Sequence, residues 1–166
     1  MDNYLMLDGK KYELSPELVN ALRSIDPVPD KKSSFQWDFG ENYWYIGSGG
    51  GVCEDANTNA DLDEKRHAVG NYCTDASLLN QRAMHETLNR LLWRYSEEHG
   101  GDSSKWDGRG HYYICLSKMN RNEFEAYSND NFCIQGVVYF RDPETAVAAI
   151  EEIVKPFLAA HPDFVW

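Results

Sequence analysis

Apolar residues recur at two spacings along this chain of 166 residues, and the spacing predicts where strands and helices form. Two short apolar runs flank Asp8 and Gly9 and predict an N-terminal hairpin, because this dipeptide tolerates the positive φ angles of a tight turn. Apolar positions at helical spacing over residues 18–25 follow Ser15 and Pro16, which predicts a short capped helix. Two prolines among polar residues then predict a linker up to residue 34.

The remainder of the chain repeats one order of elements, strand, loop, strand and helix. Ile46 and Tyr72 of the first copy are 26 positions apart, and their counterparts Ile114 and Tyr139 are 25 positions apart. Aromatic and β-branched residues favour the strands, and apolar positions at helical spacing favour the helices. The predicted strands are 43–46, 70–73, 112–114 and 136–140, and the predicted helices run from about 74 to 99 and from near Asp142.

Each copy is too small to bury a core alone, so the two are expected to pack together. We predict an α+β fold in which tandem strand-loop-strand-helix repeats form an antiparallel sheet with the helices packed on one face. The second face of that sheet is open or forms a homodimer. The predicted divisions are residues 1–34 for the hairpin, helix and linker, 35–100 for the first repeat and 101–166 for the second, in one compact domain.

The net charge of the chain limits the classes of molecule that it is expected to bind. The chain has a net charge of −11, and residues 35–72 hold seven acidic residues against two basic ones. Direct binding to nucleic acid or anionic lipid is disfavoured, and a protein with a basic groove is the expected partner. The predicted binding face consists of Glu54, Asp55, Asp61, Asp63 and Glu64. No signal peptide and no apolar run that could cross a membrane is recognised, so a cytoplasmic location is expected.

Aromatic residues at equivalent places in the two copies give a second hypothesis. Alternate side chains of a strand share a face, so some of these rings line a cleft that could stack a nucleotide base. Basic residues of the second copy would neutralise its phosphate. The residues assigned to this cleft are Tyr43, Tyr45, Trp106, Arg109, Tyr112 and Arg121. The sequence leaves open whether the acidic face or the aromatic cleft is the functional site.

Several motifs begin like known sites and are incomplete. Residues 55–64 alternate oxygen ligands as a calcium loop does, but Ala60 and Arg66 stand where an EF-hand needs glycine and a bidentate glutamate. The sequence leaves calcium binding there open and favours an acidic surface loop. Residues 47–51 are glycine-rich without the lysine and hydroxyl residue of a phosphate loop, and they predict a hairpin tip. In residues 85–89, Asn89 replaces the second histidine of a zinc-protease motif.

No arrangement of residues in the sequence indicates catalysis. We therefore predict that the protein is not an enzyme and needs no metal or cofactor. The four cysteines form no C-x-x-C pair, and we expect them to be reduced and buried as small apolar residues.

Three sequence segments, at residues 7–10, 70–72 and 138–150, together resemble those of a loose group of small accessory proteins of phages and prophages of Gram-positive bacteria. The resemblance implies a role in antagonising host immunity inside the infected cell, and it assigns no functional residue. Three hypotheses follow. The first is a non-catalytic inhibitor that places the acidic face in a basic groove of a host defence protein, a CRISPR effector nuclease above all. The second is a sponge that sequesters a nucleotide immune messenger in the aromatic cleft. The third is an oligomeric structural protein.

Overall fold

The computed structural model describes residues 4–23, 33–101, 111–117, 119, 123–129 and 133–166. The chain divides into two compact units, Met1–Ser33 and Ser34–Trp166, which are described separately. The linker predicted before residue 34 lies almost entirely outside the described residues. No helix in the described ranges is both long and apolar enough to cross a membrane.

The N-terminal unit contains the predicted hairpin and helix. Strands β1 (Tyr4–Leu7) and β2 (Lys10–Glu13) pair antiparallel, and helix α1 follows over Pro16–Arg23. Asp8 and Gly9 have φ angles of 49° and 74°, so both turn residues adopt the left-handed conformation that this kind of hairpin requires. The Ser15 hydroxyl accepts a hydrogen bond from the Leu18 amide at 3.3 Å, which caps α1 as predicted.

The second unit has a mixed α+β architecture, which confirms the predicted fold class. Its elements are β3 Asn42–Ile46, β4 Val52–Ala56, α2 Asp61–Ala68, α3 Ala76–Glu98, β5 His111–Leu116, β6 Phe124–Asn129, α4 Pro143–Ala149 and α5 Lys155–Ala160. Strands β3 and β4 form one antiparallel hairpin, and strands β5 and β6 form another. The helices α2 and α3 follow β4, and α4 and α5 follow β6.

The sheet differs from the one predicted. The described strands form three separate two-stranded hairpins rather than one antiparallel sheet. The segments predicted as second strands each contribute a single antiparallel bridge, Trp44 with Cys73 and Tyr112 with Phe140. The true hairpin partners, β4 and β6, lie in stretches predicted to be loops. The polar side chains of β4 and β6 give no strand signal in the sequence. Both segments become strands because their backbone groups pair with those of an aromatic neighbouring strand, and this pairing does not depend on their side chains.

Both halves of this unit share a hairpin, a bridge and a helix capped by aspartate. The bridges join residues 29 and 28 positions apart, and Asp75 and Asp142 follow the bridged Cys73 and Phe140 by two residues. Asp75 accepts hydrogen bonds from the amides of residues 77 and 78, and Asp142 accepts one from that of residue 145. The two predicted helix starts are thereby confirmed, and the tandem repeat itself stays a prediction.

The helix that begins after Asp142 is interrupted by a π-helical turn over Ile150–Val154. Pro156 has no amide hydrogen to donate to the preceding turn. The wider turn, closed by a hydrogen bond from the Lys155 amide to the Ile150 carbonyl, carries the helix past this position into α5.

The core of the second unit lies between α3, the helices after β6 and the β5–β6 hairpin. Its buried members are Leu88, Leu92, Tyr95, Val138, Phe140, Ala146, Ala149, Val154, Phe157 and Phe164. The prediction for the cysteines is wrong for two of the four, since Cys53 and Cys133 are exposed, Cys115 is half-buried and Cys73 is buried. All four are free thiols.

Candidate functional site

Three of the five predicted partner-binding acids are exposed and form no ion pair with another described residue, and Glu54 Oε1 accepts a hydrogen bond from Asn42 Nδ2 at 2.9 Å. Glu54 belongs to β4, and Asp61 and Glu64 belong to α2; all three are exposed. Asp55 is exposed too but is paired within the chain. We call these four carboxylates the acidic surface. Because neighbouring residues of a strand point to opposite faces, Glu54 and Asp55 place their charges on both sides of β4.

Asp63, the fifth predicted acid, is buried and is not part of the acidic surface. Its Oδ1 accepts a hydrogen bond from the Tyr43 hydroxyl at 2.6 Å. Its Oδ2 accepts three more, from the Thr58 amide and hydroxyl at 3.0 Å each and from the Ala60 amide at 3.1 Å. These donors, the Tyr43 hydroxyl foremost, hold the pKa of the Asp63 carboxyl below its usual value. Asp63 fixes the start of α2 and cannot touch a partner.

Arg66 binds the same network from the other side. Its Nη1 donates to the Tyr43 hydroxyl at 2.6 Å and to Asp55 Oδ2 at 2.7 Å. Its guanidinium carbon lies 3.4 Å from the ring centroid of Tyr45, in cation–π contact. Burial, reinforced by the hydrogen bond to Asp63, raises the pKa of Tyr43 to about 12, so this phenol stays protonated and acts as a donor. We call Tyr43, Asp55, Asp63 and Arg66 the Tyr43 network.

The aromatic cleft is not assembled by the described residues. Tyr43 is fully buried and stacks on Tyr72 with ring centroids 4.3 Å apart. Tyr45 is half-buried against Arg66, and Tyr112 packs against the core beside Phe140. These rings are occupied by packing and are not open to a base. The other three predicted members, Trp106, Arg109 and Arg121, lie outside the described residues.

A cluster of rings encloses one unsatisfied polar atom. Tyr72 contacts Trp37 and His67 at ring-centroid distances of 5.2 and 5.3 Å, besides its stack with Tyr43. The Tyr72 hydroxyl is buried and has no hydrogen-bond partner, the single such side-chain atom in the parts of the chain that are described. A buried hydroxyl without a partner costs free energy, so this position is a weak point of an otherwise well-paired region.

The loop with a calcium-like pattern uses its oxygens to hold its own backbone. Asn57 is fully buried, and its Oδ1 accepts from the Asn59 amide at 3.0 Å. Asn59 Oδ1 accepts from Trp37 Nε1 at 3.2 Å, and Asp55 is bound to Arg66. Among the described residues, no group of three or more histidine, cysteine or acidic side chains is placed to hold a metal ion.

The glycine-rich segment is the tip of the β3–β4 hairpin, as predicted. The Gly47 amide donates to the Gly51 carbonyl at 2.8 Å, and the Gly50 amide donates to the Gly47 carbonyl at 2.9 Å. Gly50 has a φ angle of 83°, which favours glycine at this turn. Two of the loop's amides are therefore used to close the turn.

Sequence reasoning missed the Tyr43 network. Its members are 3 to 23 positions apart, and no short motif joins them. The one local signal is Asp63 at the third position of α2, from which a carboxylate can reach back to the amide before the helix.

Comparison of the chain with protein-family models, curated proteins and solved structures gives no significant match.

Proposed function

We propose that this protein is a non-catalytic inhibitor that binds a basic groove of a host defence protein through its acidic surface. The resemblance to phage accessory proteins suggests a CRISPR effector nuclease as the target. The observation that carries the proposal is the charge left exposed on this part of the chain. Because Arg66 is held inside the Tyr43 network, Lys65 is the one exposed lysine or arginine within residues 35–72.

The acidic surface could replace a nucleic-acid backbone for electrostatic reasons. A groove that binds nucleic acid carries many lysine and arginine side chains and gains affinity by neutralising phosphates. Glu54 on β4 and Asp61 and Glu64 on the next helix would give such a groove three negative charges over a short length of chain. Exposed interfacial charges mainly increase the association rate and make it depend on salt.

The structure gives less support to the messenger sponge. Tyr43 and Tyr45 are engaged by Tyr72 and Arg66 and offer no described stacking face. A search for messenger binding would therefore begin with residues 102–110 and 120–122, which contain Trp106, Arg109 and Arg121.

Charge reversal of the three exposed carboxylates that form no described ion pair tests the proposal. The triple variant E54K/D61K/E64K should weaken inhibition of guided DNA cleavage by a purified CRISPR effector nuclease at least about tenfold, which corresponds to about 1.4 kcal/mol. Asp55 is left unchanged so that Arg66 keeps its partner. Far-UV circular dichroism and a urea titration establish that the variant is folded.

A control variant with the same change in net charge shows whether the position of the reversed charges matters. The triple variant E98K/E123K/E144K also lowers the net negative charge by six, at exposed positions of α3, the residue before β6 and α4 that are not part of the acidic surface. Asp61 and Glu64 lie in the first turn of α2 and Glu144 lies in that of α4, so both variants place lysine at a helix N-terminus and both are checked by circular dichroism and urea titration. The control should inhibit within about twofold of the wild type. Equal loss in both variants, or wild-type protein that inhibits no effector, would reject the proposal.

A further inference from the structure

Each hairpin of the second unit has one edge that no described strand covers. On their outer sides β3 and β5 form bridges, Trp44 with Cys73 and Tyr112 with Phe140. In contrast, β4 and β6 each pair with a single strand, and their other edges have no strand partner among the described residues. Such an edge presents a row of backbone donors and acceptors with which another strand can pair.

The hydrogen bonds of β5 identify the backbone groups that β6 directs outward. Tyr112 lies opposite Ser128 in the register, but it exchanges its backbone hydrogen bonds with Phe140 on the other side of β5. Hydrogen-bonded and non-hydrogen-bonded pairs alternate along an antiparallel ladder. Phe124, Ala126 and Ser128 therefore direct their amides and carbonyls away from β5. We call these three residues the free edge of β6.

The corresponding edge of β4 is protected against pairing with its own copy. Glu54 directs its backbone outward, because Trp44 opposite it exchanges hydrogen bonds with Cys73. The next outward amide, that of Ala56, already donates to Asp55 Oδ1 at 2.9 Å. A second β4 in the antiparallel register with the most hydrogen bonds would also place Glu54 opposite its own copy. Like charges directly opposite each other are destabilising, so self-pairing of β4 is disfavoured.

The free edge of β6 is complementary to a second copy of itself. When two copies pair antiparallel about Ala126, Phe124 of each lies opposite Ser128 of the other, and the facing residues exchange backbone hydrogen bonds. In the same register Glu125, the single charged residue of β6, lies opposite Tyr127. A tyrosine hydroxyl can donate a hydrogen bond to a carboxylate, and no like charges within β6 face each other.

An apolar groove of about 520 Å³ lies beside the free edge of β6. Its apolar lining consists of Phe124, Val147, Ile150 and Leu158, and its charged members are Glu123 and the ion pair of Glu151 with Lys155 at 2.5 Å. Antiparallel pairing about a two-fold axis keeps corresponding side chains on one face of the sheet, so the grooves of both copies would lie side by side. A second copy therefore brings apolar surface to the groove, including the half-exposed Val147, which a short extended peptide does not.

We propose that two copies of this chain form a dimer through the free edges of β6, which joins their β5–β6 hairpins into one continuous antiparallel sheet. This dimer goes beyond the proposed inhibition and does not depend on it. It uses the edge of a strand, whereas the homodimer expected from the sequence uses a face of the sheet.

Charge variants at position 127 test the register by sedimentation equilibrium. Wild-type protein should show a reversible monomer–dimer equilibrium between about 5 and about 500 μM. Y127E sets a second carboxylate opposite Glu125 at both facing pairs and should raise the dimer dissociation constant at least about tenfold. Y127K is the matched control, because it removes the same ring and its contact with Tyr113 but sets a cation opposite Glu125. Its dissociation constant should not exceed that of the wild type by more than about threefold.

A double variant tests whether these two positions face each other. E125K/Y127E exchanges the signs of the facing charges and should restore the dissociation constant to within about threefold of the wild type. Far-UV circular dichroism establishes that each variant is folded.

Hydrogen exchange of the wild-type protein, measured by NMR, tests the same edge without a variant. The Ala126 amide should exchange more slowly as protein concentration rises, whereas the Ala56 amide of β4 should not depend on concentration. If Y127E does not fold, this comparison decides. Wild-type protein that stays monomeric, equal effects of Y127E and Y127K, no restoration in E125K/Y127E, or concentration-independent exchange of Ala126 would overturn the proposal. None of these results decides whether the acidic surface inhibits a nuclease.

Discussion

Replacement of Asp63 by asparagine tests whether the buried carboxylate organises the fold around the acidic surface. The carboxylate accepts four hydrogen bonds, one at Oδ1 from Tyr43 and three at Oδ2 from Thr58 and Ala60. An asparagine would lose least by keeping its oxygen toward the three donors and turning its amide to Tyr43. The Tyr43 hydroxyl would then accept from the amide and from Arg66, and its own hydrogen would have no partner.

A buried donor without a partner costs about 1–3 kcal/mol, and the three remaining bonds lose the strength that the charge gave them. We therefore expect D63N to lower the free energy of unfolding by about 2–4 kcal/mol. D63A should cost more, because it leaves all four donors unpaired.

Urea unfolding followed by tryptophan fluorescence measures this effect, since Trp37 and Trp44 lie in the same part of the chain. D61N is the control, because it removes an exposed carboxylate from the first turn of the same helix and should change stability by less than about 1 kcal/mol. A D63N protein within about 0.5 kcal/mol of the wild type would refute the role assigned to Asp63.

The same pair of proteins predicts a dependence on pH. The pKa of Asp63 is lower in the folded chain than in the unfolded chain, chiefly because Tyr43 donates to the ionised form. Its contribution is therefore complete above the unfolded value of about 3.9 and is lost as pH falls through the lower folded value. The stability difference between wild type and D63N should shrink below about pH 4 and stay constant near neutrality. A difference that grows in acid would contradict this account.

Three further substitutions test local packing. G101A should destabilise by about 1–3 kcal/mol in urea titrations, because the new Cβ would lie 2.0 Å from Ser96 Oγ and 2.8 Å from the Ser96 carbonyl oxygen; an unchanged midpoint would contradict the packing. Y72F should be neutral or stabilising by up to about 1 kcal/mol, since the hydroxyl has no partner, and clear destabilisation in the same titration would show that it has one. Q81A should speed hydrogen exchange of the Val165 amide, measured by NMR, because the Gln81 side chain accepts a hydrogen bond from that amide. An unchanged exchange rate would show that Gln81 does not hold the C-terminal residues in place.

Local signals in the sequence predicted the parts of the fold that depend on neighbouring residues. Asp8 and Gly9 specify their own turn, and Asp75 and Asp142 specify their helix starts through side chains that reach amides two or three residues away. Such features require no knowledge of the rest of the chain. The α+β class followed from the alternation of aromatic strands with amphipathic helices.

Features that depend on distant residues were not predicted. The sequence of β4, Val-Cys-Glu-Asp-Ala, has no strand-like alternation of its own, and it becomes a strand by pairing with β3. Asp63 resembles its acidic neighbours in the sequence, and only the approach of Tyr43, 20 positions earlier, removes it from the surface. Charge patterning therefore identified an acidic region without showing which carboxylates are free.

The salt dependence of inhibition tests the central claim, that the acidic surface engages a basic groove. The half-inhibitory concentration against a purified CRISPR effector nuclease would be measured at NaCl concentrations from about 50 to about 300 mM. The electrostatic screening length shortens over this range, so attraction between exposed charges weakens. Wild-type potency should decline steeply with salt, and E54K/D61K/E64K should show a clearly shallower slope. Parallel slopes, or wild-type potency that does not change with salt, would contradict binding through the acidic surface.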